Sequence, residues 1–210
     1  MIRLQKFIDN QYFCDSIQFI KYIPKYIIKK YIKCNPKKYF EIGFIYQFYY
    51  SNYNKMAKYY NMAIDEGNTY AMVYLGIYYE HKNNDLAKKY YLDAIALGNS
   101  QAMYNLGYYY HFIERNYDLV KKYYLNAITL GNSEAMTYLG WYYSNDNDYY
   151  LMKKYYLMAI ALGNSNAMLY LGFYYQYTEK NYELMKKYNM MSIKLGSQYN
   201  VLFNYYKQCK

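Results

Sequence analysis

Cysteine, histidine and arginine are scarce in this chain of 210 residues, and each shortage excludes a class of function. The three cysteines, Cys14, Cys34 and Cys209, form no CxxC pair, and an odd count makes a poor disulfide framework, so a reducing compartment is expected. The two histidines, His81 and His111, stand apart, with no HExxH and no thiolate cluster, so each reads as a solvated surface side chain. No metal and no cofactor are expected. Carboxylates are scattered and unpaired by spacing, and no nucleophile has a base at a motif distance, so the chain reads as no enzyme. Lys or Asn interrupts every apolar run before it reaches bilayer length, and the first residues lack the apolar core and cleavage site of a signal peptide. A cytoplasmic, membrane-free protein is the expectation.

Lysine, tyrosine and repetition are what the chain has. Lys and Arg outnumber Asp and Glu by 25 to 15, for a formal charge of +10. Residues 1–42 hold nine basic and three acidic side chains, so +6 of that surplus lies in the first fifth of the chain. Forty tyrosines, with abundant Asn, Lys and Ile, point to AT-rich codons more than to a chemistry. The stretch VKKYYLNAITLGNSEAMTYLG (120–140) recurs as AKKYYLDAIALGNSQAMYNLG (87–107) and MKKYYLMAIALGNSNAMLYLG (152–172), and more loosely at 56–76. Self-similarity at a period near 32 residues is the mark of a repeat array, in which each unit leans on its neighbours.

Each unit reads as two amphipathic helices. The first, as in SEAMTYLGWYY (133–143), puts Ala135, Met136, Tyr138, Leu139, Tyr142 and Tyr143 on one stripe. The second, as in LVKKYYLNAITL (119–130), does so with Val120, Tyr123, Tyr124, Ala127, Ile128 and Leu130. All ten glycines fall on two repeat positions. Gly67, Gly98, Gly131, Gly163 and Gly196 end the second helix, and Asn with Ser or Thr follows four of them to cap the next helix. Gly43, Gly76, Gly107, Gly140 and Gly172 lie inside the first helix, where glycine costs about 0.5–1 kcal/mol against alanine. The compensation expected is close packing that a Cβ would push apart. The loops between the two helices of a unit, such as EHKNND (80–85) and HFIERN (111–116), are polar and variable in length.

The pattern A-M-x-x-L-G-x-Y-Y, then N/D-x-x-L, then K-Y-Y-x-x-A-I-x-L-G-N-S resembles the Sel1-like repeat, a relative of the tetratricopeptide repeat. Ala102, Leu106, Gly107, Tyr110, Tyr123, Tyr124, Ala127 and Gly131 match its small, glycine and aromatic positions. The AT-rich composition is similar to that of Sel1-like proteins of giant DNA viruses, which would place the protein in a host cytoplasm. The resemblance implies an all-α, right-handed α-solenoid of Sel1-like, tetratricopeptide-like two-helix repeats. About five units are expected over 37–210, with residues 1–36 as a divergent helical cap whose outer face is polar. The Gly-rich loop that joins the helices of a usual Sel1 unit is absent, so the units are shorter.

Two surfaces invite partners. Phe44, Ile77, Tyr108, Trp141 and Phe173 are equivalent positions on the first helices, as are Phe40, Val73, Tyr104, Thr137 and Leu169 one turn earlier. These side chains leave the main stripe, and so either pack between repeats or form an aromatic ribbon along a concave groove. In the groove reading, Phe44, Ile77, Tyr104, Tyr108, Trp141, Leu169 and Phe173 bind another protein as a peptide or helix, with Trp141 as anchor. The paired lysines Lys88 and Lys89, Lys121 and Lys122, Lys153 and Lys154, and Lys186 and Lys187 recur at one place on the second helices. They make either a solvated face or an anion-binding ladder for nucleic acid; with only Arg3 and Arg115 in the chain, the solvated face is favoured. The expected function is a non-catalytic scaffold or adaptor, with nucleic-acid association as its alternative.

Overall fold

The structure, a computed structural model, describes residues 23–35 and 37–195. Expectations resting on residues 1–22, Gly196, Cys14 and Cys209 lie outside the described residues. Eleven α-helices and no strands occur among them. Helix α1 (Lys25–Cys34) precedes five pairs: α2 (Tyr39–Phe48) with α3 (Tyr53–Asp65), α4 (Thr69–Tyr79) with α5 (Asn84–Ala96), α6 (Ser100–Tyr109) with α7 (Tyr117–Thr129), α8 (Ser133–Asn145) with α9 (Tyr149–Ala161), and α10 (Ser165–Tyr177) with α11 (Tyr182–Lys194). By its contacts the chain divides into two compact units, Met1–Ala102 and Met103–Lys210, the division falling inside α6.

The tyrosine pair of each second helix explains the glycine of each first helix. The second tyrosine lays its ring on the glycine: a Cβ on Gly43 or Gly76 would come within 2.5 Å of Tyr60 or Tyr91, and one on Gly107 within 3.0 Å of Tyr124. At Gly140 it would meet Tyr156 Cε1 at 2.5 Å. These rings are almost wholly buried, Tyr60, Tyr91 and Tyr124 at 0% exposure and Tyr156 at 2%. The expectation that a Cβ would separate the paired helices therefore holds. In the last pair the tyrosine is replaced by Asn189, whose Oδ1 crowds Gly172 and is buried without a hydrogen-bond partner.

The first tyrosine of the pair stacks on the aromatic three residues beyond that glycine. Tyr46 with Tyr59, Tyr79 with Tyr90, Tyr110 with Tyr123, Tyr143 with Tyr155 and Tyr175 with Tyr188 have centroids 5.4–5.9 Å apart and planes within 2–11°. Offset stacking of this kind adds about 0.5–1.5 kcal/mol beyond area burial. The G-x-Y-Y and K-Y-Y words of the repeat are thus two halves of one interlock.

The G-N-S/T word has a second duty besides capping. At Gly67, with φ +83°, the amide of Gly67 donates to Ile64 O at 2.8 Å and that of Asn68 to Ala63 O at 2.9 Å, which closes the helix in a left-handed turn. Asn68, Asn99, Asn132 and Asn164 then cap the next helix, each side-chain oxygen accepting from the third residue on, at 2.8–3.0 Å. The amide end of the same side chain reaches back one repeat: Asn99 Nδ2 donates to Thr69 Oγ1 at 2.8 Å, and Asn164 Nδ2 to Ser133 Oγ at 3.1 Å. One residue type ends a connection and ties two repeats together.

The N/D-x-x-L word is the cap of the second helix. Asn52, Asn83, Asn116, Asp148 and Asn181 accept from the amides of Lys55, Leu86, Leu119, Leu151 and Leu184 at 3.0–3.2 Å. In four of those joints the residue just before the cap region turns left-handed without being glycine: Ser51, Arg115, Asn147 and Lys180 have φ of +52 to +59°. A side chain there costs about 1–2 kcal/mol, the consequence of lacking a Gly-rich loop. Leu130, read as part of the buried stripe, is 52% exposed, as are its equivalents Leu97 at 60% and Leu162 at 54%. It lies at the C-cap of α7, where the chain is already turning away.

Candidate functional site

The residues after the first-helix glycine do not share one fate. Phe44 is 2% exposed, because Phe48, Tyr74 and the α1 residues Ile28 and Tyr31 cover it; its expected outward placement is corrected. Ile77, Tyr108 and Trp141 are exposed at 41%, 42% and 37%, and Phe173 is half-buried. One turn earlier Val73 and Thr137 are buried, while Phe40, Tyr104 and Leu169 are half-buried. Packing between repeats claims part of the row and leaves part open.

In the unit Met103–Lys210 the open part gathers around Trp141. An open pocket of about 240 Å³ is lined by Tyr104, Phe112, Glu134, Tyr138, Trp141 and Tyr170, with Thr137, Asn164 and Asn166 at its edge. The rings of Tyr138 and Trp141 are 5.3 Å apart and those of Tyr124 and Tyr138 4.4 Å. Thr137 Oγ1 is occupied, donating to Ser133 O at 2.8 Å.

A break in the helix ladder builds one wall. After α6 the chain forms a π-helical turn, Tyr110–Glu114, that ends on left-handed Arg115. Wider turns of this kind recur at functional sites because they re-aim side chains. Here the turn carries His111 and Phe112 over the pocket: Phe112 lies 4.3 Å from Tyr108, and His111 lies 5.6 Å from Tyr138 and 6.4 Å from Trp141 between ring centroids. His111 is half-buried rather than solvated, and burial lowers its pKa below the ordinary imidazole value. His81 is exposed, as expected.

The same break changes the partners of the buried hydroxyl. In the first two pairs the residue four beyond the helix glycine takes the hydroxyl of the buried tyrosine: Tyr60 donates to Gln47 Oε1 and Tyr91 to Glu80 Oε1, both at 2.6 Å. Burial raises the Glu80 pKa against the opposing effect of that hydrogen bond, and raises that of Tyr91. At 111 the equivalent residue is histidine in a π turn; His111 Nδ1 is buried without a partner, and the buried Tyr124 hydroxyl turns instead to the hydroxyl of Tyr138. An unpartnered buried atom costs about 1–3 kcal/mol. The sequence signal for this was the histidine itself, at a position where the other repeats carry Gln47, Glu80, Ser144 and Gln176.

The lysine pairs occupy the second turns of the second helices. Lys89, Lys121, Lys122, Lys154, Lys186 and Lys187 are exposed, and Lys88 and Lys153 half-buried. Several face their own chain: Lys88 is 3.9 Å from Asp85, Lys153 pairs with Glu179, and Lys122, Lys154 and Lys187 lie 5.5–5.9 Å from neighbouring tyrosine rings. The Lys153 partnership holds the Glu179 carboxyl below the usual carboxylate range. Among the described residues no three His, Cys, Asp or Glu side chains are grouped to hold a metal ion, and no helix is long and apolar enough to cross a membrane.

No family model matches the chain, and no curated protein does. Among solved structures it is similar to a Sel1 repeat protein from Oxalobacter formigenes, at 21% identity over 86% of this chain and 78% of that one, TM-score 0.61. It is similar to an immunity protein from Pseudomonas aeruginosa, at 24% identity over 69% of this chain and 58% of that one, TM-score 0.57. A protective antigen present in uropathogenic Escherichia coli strains, displaying an SLR fold, matches at 18% identity over 87% of this chain and 42% of that one, TM-score 0.56. The chain spans less than two thirds of the length of the latter two. An all-α fold of Sel1-like two-helix repeats, the α-solenoid class, is the fold of this chain, as the resemblance implied.

Proposed function

We propose that this helical repeat scaffold is a non-catalytic adaptor that holds another protein, as a peptide or a helix, against the open aromatic positions of its first helices, with Trp141 as the anchor. One observation carries the reading: the chain's single tryptophan lies 37% exposed in a pocket walled by aromatic rings, while its counterpart Phe44 is sealed. A large apolar side chain left open among aromatic rings has the character of an interface hot spot before its partner arrives. Tyr104, Tyr108 and Leu169 extend the surface in the same unit, and Ile77 offers a separate contact in the unit Met1–Ala102. The same reading puts the protein in a reducing cytoplasm, a host's if its origin is viral, which suits the exposed free thiol of Cys34.

Affinity capture from the native cell, run with the unaltered chain and with Trp141→Ala, tests the reading. A specific protein retained by the first and lost by the second, with equal helical signal from both, is the expected result. It should persist as salt rises, whereas nucleic-acid binding through the paired lysines would collapse steeply. Identical capture by the two proteins would refute the anchor.

A further inference from the structure

We infer that the Trp141 pocket takes a cationic side chain, an arginine or lysine of the partner peptide. This rests on the adaptor reading and deepens it. The size of the pocket, about 240 Å³, falls below the range of sites that enclose a whole small ligand and suits one inserted side chain. Its lining includes the aromatic residues Trp141, Tyr138, Tyr104, Tyr170 and Phe112, and aromatic rings attract a cation through their negative faces, tryptophan most strongly.

Charge supports the same occupant. In a chain of net charge +10, the only charged residue lining this pocket among the described residues is Glu134, and no described lysine or arginine lines it. Glu134 is exposed in the first turn of α8, and among the described residues its carboxylate forms no ion pair, only a 3.5 Å hydrogen bond accepted from Ser133 Oγ. The other polar groups of the wall are largely occupied: Thr137 donates to Ser133 O, and Asn164 both caps α10 and donates to Ser133 Oγ. An anionic side chain would meet like charge, and a purely apolar one would leave the carboxylate unused.

Trp141 is the chain's only tryptophan, so its emission, excited where tyrosine does not absorb, reports the pocket directly. The probes are N-acetyl-arginine amide, its uncharged isostere N-acetyl-citrulline amide, and N-acetyl-glutamate amide, titrated into the full chain. The arginine probe should shift the emission saturably, the citrulline probe should bind about fivefold to tenfold more weakly, and the glutamate probe should have no effect. Glu134→Gln should bring the arginine probe down to the citrulline level with the far-ultraviolet circular dichroism unchanged. Equal binding of arginine and citrulline probes, or an unaltered arginine affinity in Glu134→Gln, would overturn the cationic assignment. Absence of any emission change, with protein capture still dependent on Trp141, would overturn it and leave the adaptor reading standing; capture independent of Trp141 as well would overturn both.

Discussion

Replacing Gly140 by alanine sets two effects against each other, and the structure says which wins. Alanine in a helix interior is favoured over glycine by about 0.8–1.0 kcal/mol, so an unconstrained Gly140→Ala would stabilise. The new Cβ, however, would lie 2.5 Å from Tyr156 Cε1 and 3.0 Å from Tyr156 Cγ. That ring is 2% exposed and packed against Tyr170 at 6.0 Å, so it has nowhere to swing. Overpacking of this kind costs about 1–3 kcal/mol, and contact across the full ring face puts Gly140 toward the upper end. The net expectation is a loss of about 1–2 kcal/mol. At Gly107 the nearest tyrosine atoms would be 3.0–3.3 Å away, which a shift of a few tenths of an ångström relieves, so Gly107→Ala should be close to neutral. The decisive comparison is a double-mutant cycle with Tyr156→Ala, which by itself costs about 3–5 kcal/mol. With the ring removed, Gly140→Ala should reverse sign and stabilise by about 1 kcal/mol. Urea unfolding followed by far-ultraviolet circular dichroism measures all four proteins. A Gly140→Ala effect of the same sign with and without the Tyr156 ring would refute the explanation of the helix glycines.

Asn99→Ala removes a helix cap and the bond back to Thr69, so it should cost about 2–3 kcal/mol, against about 1 kcal/mol for Asn52→Ala, which removes a cap alone; equal midpoint shifts in urea would contradict the tie between repeats. Arg115→Gly and Lys180→Gly relieve left-handed side-chain residues and should each stabilise by about 0.5–1 kcal/mol, whereas Lys186→Gly inside α11 should destabilise by about 1 kcal/mol, as thermal unfolding would show. Because burial lowers the His111 pKa, the unfolded chain binds that proton first as pH falls. Stability should therefore drop from about pH 6.5, the ordinary imidazole value, down to the lower folded value, and His111→Gln should remove that part of the slope. A His111→Gln protein with an unchanged profile between pH 7 and the carboxylate range would disprove it.

The amino-acid sequence alone determined the helices, their ends and their pairing. A word repeated along the chain names its own caps, and five helix-weakening glycines require a ring to lie on them; Tyr60, Tyr91, Tyr124 and Tyr156 supply four. Local chemistry suffices there, because a cap or a turn is decided within a few residues. What only the tertiary structure decided is which outward side chains stay outward. Phe44 and Trp141 occupy the same repeat position, yet α1 covers Phe44, while Trp141 faces a pocket walled by α8, α10 and the π-helical turn. The back-reaching amide of Asn99 and Asn164 was equally hidden, since a cap residue has the same sequence signature whether or not its other end meets the preceding repeat. Exposure is a property of neighbours more than of period, and at Tyr138 and Trp141 those neighbours include His111, which the π-helical turn brings within 5.6 and 6.4 Å of their rings.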